Sequence, residues 1–189
     1  IPDARHYVPM DDLGWTQGAE GRTVFAHRDD FLTMLPPKQD QLLRELLRGL
    51  MDGNLLGLAA QRFARWIPGL TNNPNLTGFR SEACITKDFS GYKIGPHTDD
   101  PDRVLTLMYY LPEDDSCEDS GTSLFVPKQD GFECSGKMWH GFEDFDEVKR
   151  IPYKPNTLFG FVKTASSFHG VMPLGESSID RDIFHITLH

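Results

Sequence analysis

Residues 104–111 read VLTLMYYL. Both alternating faces of this stretch are largely apolar, which fits a strand covered on two sides rather than one with a face in water. Residues 182–188, DIFHITL, have the same character. Residues 82–89 (EACITKDF), 122–127 (TSLFVP) and 156–162 (NTLFGFV) add three more candidate strands, separated by clusters of Gly, Pro, Asp and Ser. Short β-branched and aromatic stretches punctuated by turn residues are the pattern of an all-β sandwich or barrel.

A strand buried on both faces needs an outer cover, and the first third of the chain supplies one. In residues 38–52, KQDQLLRELLRGLMD, Leu42, Leu43, Leu46, Leu47 and Leu50 recur at helical spacing with charges opposite. Asn54 is placed to cap a second helix through Leu55, Leu58, Ala59, Phe63 and Trp66, ending before Pro68 and Gly69. The expected organisation is a single domain over residues 1–189, with helical cover at about 38–67 and a β core at about 76–189. Residues 112–120, PEDDSCEDS, read as a solvated loop. Residues 128–155 hold Trp139 and Phe142 without a clear period and read as a lid or binding insertion.

Composition narrows the function. The formal net charge of −9 would repel phosphate backbones, and the basic residues are scattered, so nucleic acid is not expected as a partner. Three cysteines without CxxC spacing suggest neither a disulfide framework nor a zinc site, and fit free thiols in a reducing, cytoplasmic compartment. No apolar run approaches the about 20 residues of a membrane-spanning helix, so no membrane association is expected.

The chemistry concentrates in residues 95–103, GPHTDDPDR. On an extended segment His97 and Asp99 share a face, with Thr98 pointing away. Two histidines and one carboxylate form the facial triad of non-haem Fe(II) oxygenases, so a distant second histidine is required. His140, His169, His185 and His189 are available. His169 is favoured because it follows the apolar stretch 156–162 and precedes Gly170 and Pro173. Beyond it Arg181 opens the last strand, where an inward guanidinium would offer a fork for a carboxylate. Asp100 and Asp102 read as loop-solvating acids, Arg103 as a surface arginine, and His6, His27 and His140 as surface histidines.

The ordered set HTD (97–99), LTLMYYL (105–111), DSGTSLF (119–125), FHGVMP (168–173) and an arginine before a final strand resembles the Fe(II)- and 2-oxoglutarate-dependent dioxygenases, especially their prolyl-hydroxylase-like branch. The resemblance covers residues 92–189. It implies a double-stranded β-helix, a jelly-roll-like, cupin-like barrel with the helices packed on one sheet. It implies iron on His97, Asp99 and His169, and the distal carboxylate of 2-oxoglutarate on Arg181 and Tyr110. Gly121 and Thr122 match the family's glycine turn, and Tyr92 a pocket-wall position near the cosubstrate. Many members place a serine two residues after the arginine. Here that residue is Ile183, so Tyr110, His185 or Thr187 would supply the extra bond.

The activity so implied uses O2, with ascorbate as a candidate reductant, to hydroxylate a C–H bond of a small molecule, amino acid or peptidyl residue while 2-oxoglutarate becomes succinate and CO2. A carboxylate at Asp99 favours hydroxylation over halogenation; epimerisation, desaturation and ring closure use the same triad. Two other classes stay open: a cupin-like metalloenzyme that does not use 2-oxoglutarate, and a non-catalytic binding or sensor module on the same fold. The residues carry no reading of oligomeric state.

Overall fold

The computed structural model describes residues 2–10, 21–26, 31, 34–51, 54–67, 78–136, 138–175 and 180–189. Among the described residues ten strands form two antiparallel sheets. The larger contains β1 (Val8–Pro9), β2 (Arg22–Ala26), β3 (Ser81–Asp88), β5 (Leu105–Tyr110), β8 (Leu158–Val162) and β10 (Arg181–Leu188), in the order β1-β2-β3-β10-β5-β8. The smaller contains β4 (Ile94–His97), β6 (Thr122–Pro127), β7 (Phe145–Ile151) and β9 (His169–Val171), in the order β4-β9-β6-β7. From β3 onward the chain crosses between the sheets at each strand except at the β6–β7 hairpin, as in a double-stranded β-helix.

β5 and β10 are interior strands of the larger sheet, and both are covered on two faces, but the inner face of β10 is not apolar as its sequence suggests: it carries Arg181, His185 and Thr187 beside Ile183. On the outer face Leu105, Leu107, Phe184, Ile186 and Leu188 join Phe25 and Ile85 in one core. Helices α1 (Pro37–Met51) and α2 (Asn54–Phe63) contribute Leu43, Leu47, Leu56 and Ala60 to it. Burying a leucine of this kind stabilises the fold by roughly 1.5–3 kcal/mol. α1 begins at Pro37, whose missing N–H costs nothing in the first turn.

The helical cover is narrower than the sequence suggests. Leu42, Leu46, Leu58 and Trp66 are about half to two thirds exposed, so only part of each leucine stripe meets the sheet. The capping expected of Asn54 falls on a side chain outside the described residues.

Residues 128–155 also differ from the expected lid. They include β7, which runs antiparallel to β6 from Thr122↔Ile151 to Pro127↔Phe145. Most of β7 is exposed, so its sequence FDEVKRI lacks the apolar alternation that marks a half-buried strand. His140, expected at the surface, instead packs its ring against Phe132, Phe145 and Phe168 at centroid distances of 5.1, 5.6 and 5.9 Å. Among the described residues no helix is long and apolar enough to cross a membrane.

Candidate metal centre and its cavity

The inner faces of the two sheets enclose a cavity of about 720 Å³. Strand alternation decides what lines it. β10 turns Arg181, Ile183, His185 and Thr187 inward, and β5 contributes Thr106 and Met108. Met10, Ile94, Met138, Trp139 and Val171 form an apolar wall; Arg80, Glu82, Asp100, Asp102 and Arg103 form a charged one.

His97, Asp99 and His169 meet in this cavity, with one possible ligand atom from each lying within 4.8 Å of the others. A break in register brings them together. β4 pairs with β9 at Ile94↔Val171 and again at His97↔His169, so β4 carries one more residue than its partner. Such a bulge re-aims the side chains beside it. The extra residue lies within Gly95-Pro96, and the result sets the two imidazoles 4.3 Å apart between centroids.

Hydrogen bonds fix the tautomers. His97 Nδ1 lies 2.9 Å from the Gly95 carbonyl oxygen, and His169 Nδ1 lies 3.1 Å from that of Ser167. A carbonyl only accepts, so each Nδ1 carries a hydrogen, and in the neutral ring that leaves the lone pair on Nε2. His169 Nε2 is 3.7 Å from Asp99 Oδ1. Asp99 is held in turn: Thr106 Oγ1 donates to Oδ2 at 2.6 Å, and Arg103 donates to Oδ1 at 3.1 Å. Ligand imidazoles oriented through their far nitrogens, with a hydrogen-bonded carboxylate beside them, are the supporting shell that metal sites need.

Electrostatics agree with that geometry. Burial and the neighbouring His169 push the His97 imidazole down to about 3, so it is neutral at ordinary pH. Burial alone would raise the Asp99 carboxyl, but His169, Arg103, His97 and the Thr106 hydrogen bond outweigh it and hold it at about 2. Two imidazoles and a carboxylate suit a divalent cation, and Arg103 supplies positive charge to the carboxylate in this structure. Arg103, read as a surface residue, is thus half-buried against Asp99.

The other expected site residues lie deeper. Arg181 is fully buried; its NH1 donates to Asp88 Oδ2 at 2.6 Å and its NH2 to Thr122 Oγ1 at 3.0 Å. Its Nε has no partner among the described residues. Tyr110 accepts from the Thr122 backbone N–H at 3.1 Å and packs on Tyr153. Neither Tyr110 nor Tyr92 lines the cavity itself; both are fully buried behind its wall, and the Tyr92 hydroxyl has no partner among the described residues. His185 reaches Thr86 Oγ1 at 2.9 Å, and burial, with Arg22 and Arg181 nearby, lowers its pKa well below the usual value. Gly121 is needed for packing: a Cβ there would lie 1.7 Å from the Ile151 carbonyl oxygen.

Sequence reasoning missed Arg22 and Asp88. The Asp88 carboxylate is fully buried and receives the Arg22 fork through Nε and NH2 as well as Arg181 NH1. Nothing near Arg22 in sequence marks it, because only the β2–β3 pairing carries it to the cavity.

No known family model matches the chain, and no curated protein sequence does. A Pseudomonas putida prolyl-4-hydroxylase structure superposes over 99% of this chain and 79% of its own, with 18% identity and a TM-score of 0.50. The likeness is one of fold. KdgF from a Halomonas species (12% identity, 57% of this chain and 67% of that one, TM-score 0.32) and a cupin-superfamily protein of Desulfitobacterium hafniense (14% identity, 58% and 67%, TM-score 0.32) are too distant to bear on function.

Proposed function

We propose that this protein is an Fe(II)- and 2-oxoglutarate-dependent dioxygenase that hydroxylates an unactivated C–H bond of a small molecule, amino acid or peptidyl residue. The observation that carries the reading is the meeting of His97, Asp99 and His169 in one cavity whose inner wall holds a buried arginine with an N–H that has no partner among the described residues. The donor set fits iron, which favours two imidazoles and a carboxylate on one face. When bound, iron with 2-oxoglutarate and O2 supplies the oxidising chemistry, releasing succinate and CO2.

The residues of the chain do the rest. His97 and His169 present Nε2 lone pairs, Thr106 and Arg103 keep the Asp99 carboxylate ionised and aimed, and Arg181 with Thr122 offers donors for the distal carboxylate of 2-oxoglutarate. The apolar wall of Met10, Ile94 and Trp139 gives an apolar substrate segment a place to lie.

The test is succinate release from 2-oxoglutarate with Fe(II), ascorbate and O2, with an anaerobic sample checked for the charge-transfer absorbance of the chelate. His97→Ala and Arg181→Ala should each abolish succinate. Absence of both signals from the wild type would reject the reading. The engagement of Arg181 by Asp88 favours one other reading, a cupin-like metalloprotein that makes no use of 2-oxoglutarate; it would bind metal but gain no affinity for 2-oxoglutarate from Arg181.

A further inference from the structure

Arg22, Asp88 and Arg181 occupy one rung of the larger sheet. Asp88 on β3 is the register partner of Arg22 on β2 and of Arg181 on β10. All three are fully or almost fully buried; the Arg22 side chain is 11% exposed. Arg22 and Arg181 line the cavity, and Arg22 stacks over the Tyr92 ring at 4.4 Å. Opposite charges directly across a sheet attract, but here two cations share one anion.

The charge parity of this rung matters. A lone Arg181–Asp88 pair would be neutral, and a neutral buried pair has little reason to take up a further carboxylate. Among the described residues no second anion bonds to this rung, so Arg22 changes the sum to one uncompensated positive charge beside the cavity. Uncompensated buried charge is costly unless an anion meets it. Two buried donors without partners among the described residues, Arg181 Nε and the Tyr92 hydroxyl, belong to the same cluster.

We propose that Arg22 is a positioning residue for the anionic cosubstrate: by sharing Asp88 with Arg181 it gives the rung the net charge that holds a carboxylate of a small dicarboxylic acid. This rests on the 2-oxoglutarate reading above. Asp88 orients both guanidinium planes, and Arg22 offsets the negative charge that this orientation requires.

The experiment measures equilibrium binding of 2-oxoglutarate to Mn2+-loaded protein and of glutarate to metal-free protein. It compares wild type, Arg22→Gln, Arg22→Lys, Asp88→Asn and the double variant Arg22→Gln/Asp88→Asn, each checked for folding by its thermal transition. Arg22→Gln should weaken both acids by about tenfold or more, the size of a lost charge-assisted contact. Arg22→Lys, which keeps the charge, and the double variant, which restores it by removing the anion, should both recover most of the loss. Asp88→Asn should bind at least as tightly as wild type if it folds. A folded Arg22→Gln that binds both acids like wild type would overturn the inference and leave the dioxygenase reading intact. A double variant weaker than Arg22→Gln would also overturn it, since a merely structural role gives no rescue. Wild type that binds glutarate but not 2-oxoglutarate, with charge-dependent variants, would keep the anion site and reject the cosubstrate reading. Wild type that binds neither acid would reject both.

Discussion

His97 and His169 face each other across β4 and β9, their rings 4.3 Å apart, although the strands enter the pairing out of step by one residue. The bulge at Gly95-Pro96 is what makes the pair, and Gly170 permits the close strand approach. A Cβ on Gly170 would sit 2.5 Å from the Ile94 carbonyl oxygen.

Gly170→Ala should therefore push β4 from β9. Overpacking of this kind costs about 1–3 kcal/mol. Urea denaturation should show that loss, and metal binding should weaken with it because the ligand imidazoles separate. Unchanged stability and unchanged metal affinity would show that the strand spacing does not set the site.

Thr106→Val keeps the shape of β5 but removes the 2.6 Å hydrogen bond to Asp99 Oδ2. Loss of such a supporting partner reduces metal affinity by about 10–100-fold. Competition titration with Mn2+ or Co2+ against a chelating dye measures it. Wild-type affinity in a folded variant would mean that Arg103 alone suffices to hold the carboxylate.

Tyr153 clamps the start of β10. Its hydroxyl accepts from the Asp182 N–H at 2.7 Å and donates to the Asp182 carbonyl at 2.9 Å. Tyr153→Phe leaves both buried groups without that partner, at a cost of about 1–3 kcal/mol. The midpoint of urea unfolding should fall accordingly, and a change below measurement error would contradict the clamp.

Two histidines predict how the metal-free protein responds to acid. His97 is held at about 3 and His185 well below the ordinary value near 6.5, so as the pH falls below 6.5 the unfolded chain binds more protons than the folded one. Their contribution to stability is complete above about pH 6.5 and is lost as the pH falls, for His97 down to about 3. Asp99, held at about 2 against 3.8, adds a loss of the same sign below about pH 4. Denaturation curves at pH 7, 6, 5 and 4 should thus show falling stability, with a shallower slope in His185→Gln. An identical slope in that variant would show that His185 is free to protonate without cost.

The five stretches first read as strands all became strands, because each carries its apolar pattern locally: a pleated segment repeats every two residues, and the core it faces is written into that repeat. The HTD triplet was legible for the same reason, since neighbours two apart share a face. The amphipathic helices were legible too, though not which leucines of each stripe would meet the sheet. β7 escaped because both its faces are largely exposed, and β1, β4 and β9 because two to four residues are too few for a period.

His169 was already favoured in the sequence, by its place after an apolar stretch and by the family resemblance, but only the tertiary structure sets its ring against His97 and Asp99. That contact depends on the register of β4 against β9, a property of strand pairing that no local pattern encodes. The same holds for Arg22, Asp88 and Arg181. Arg22 and Asp88 are ordinary charged residues in sequence, Arg181 stands out only by its place before the last strand, and two separate strand pairings must form before the three stand in one rung. Local chemistry is set by neighbours along the chain, whereas charge parity in a buried cluster is set by which strands lie side by side.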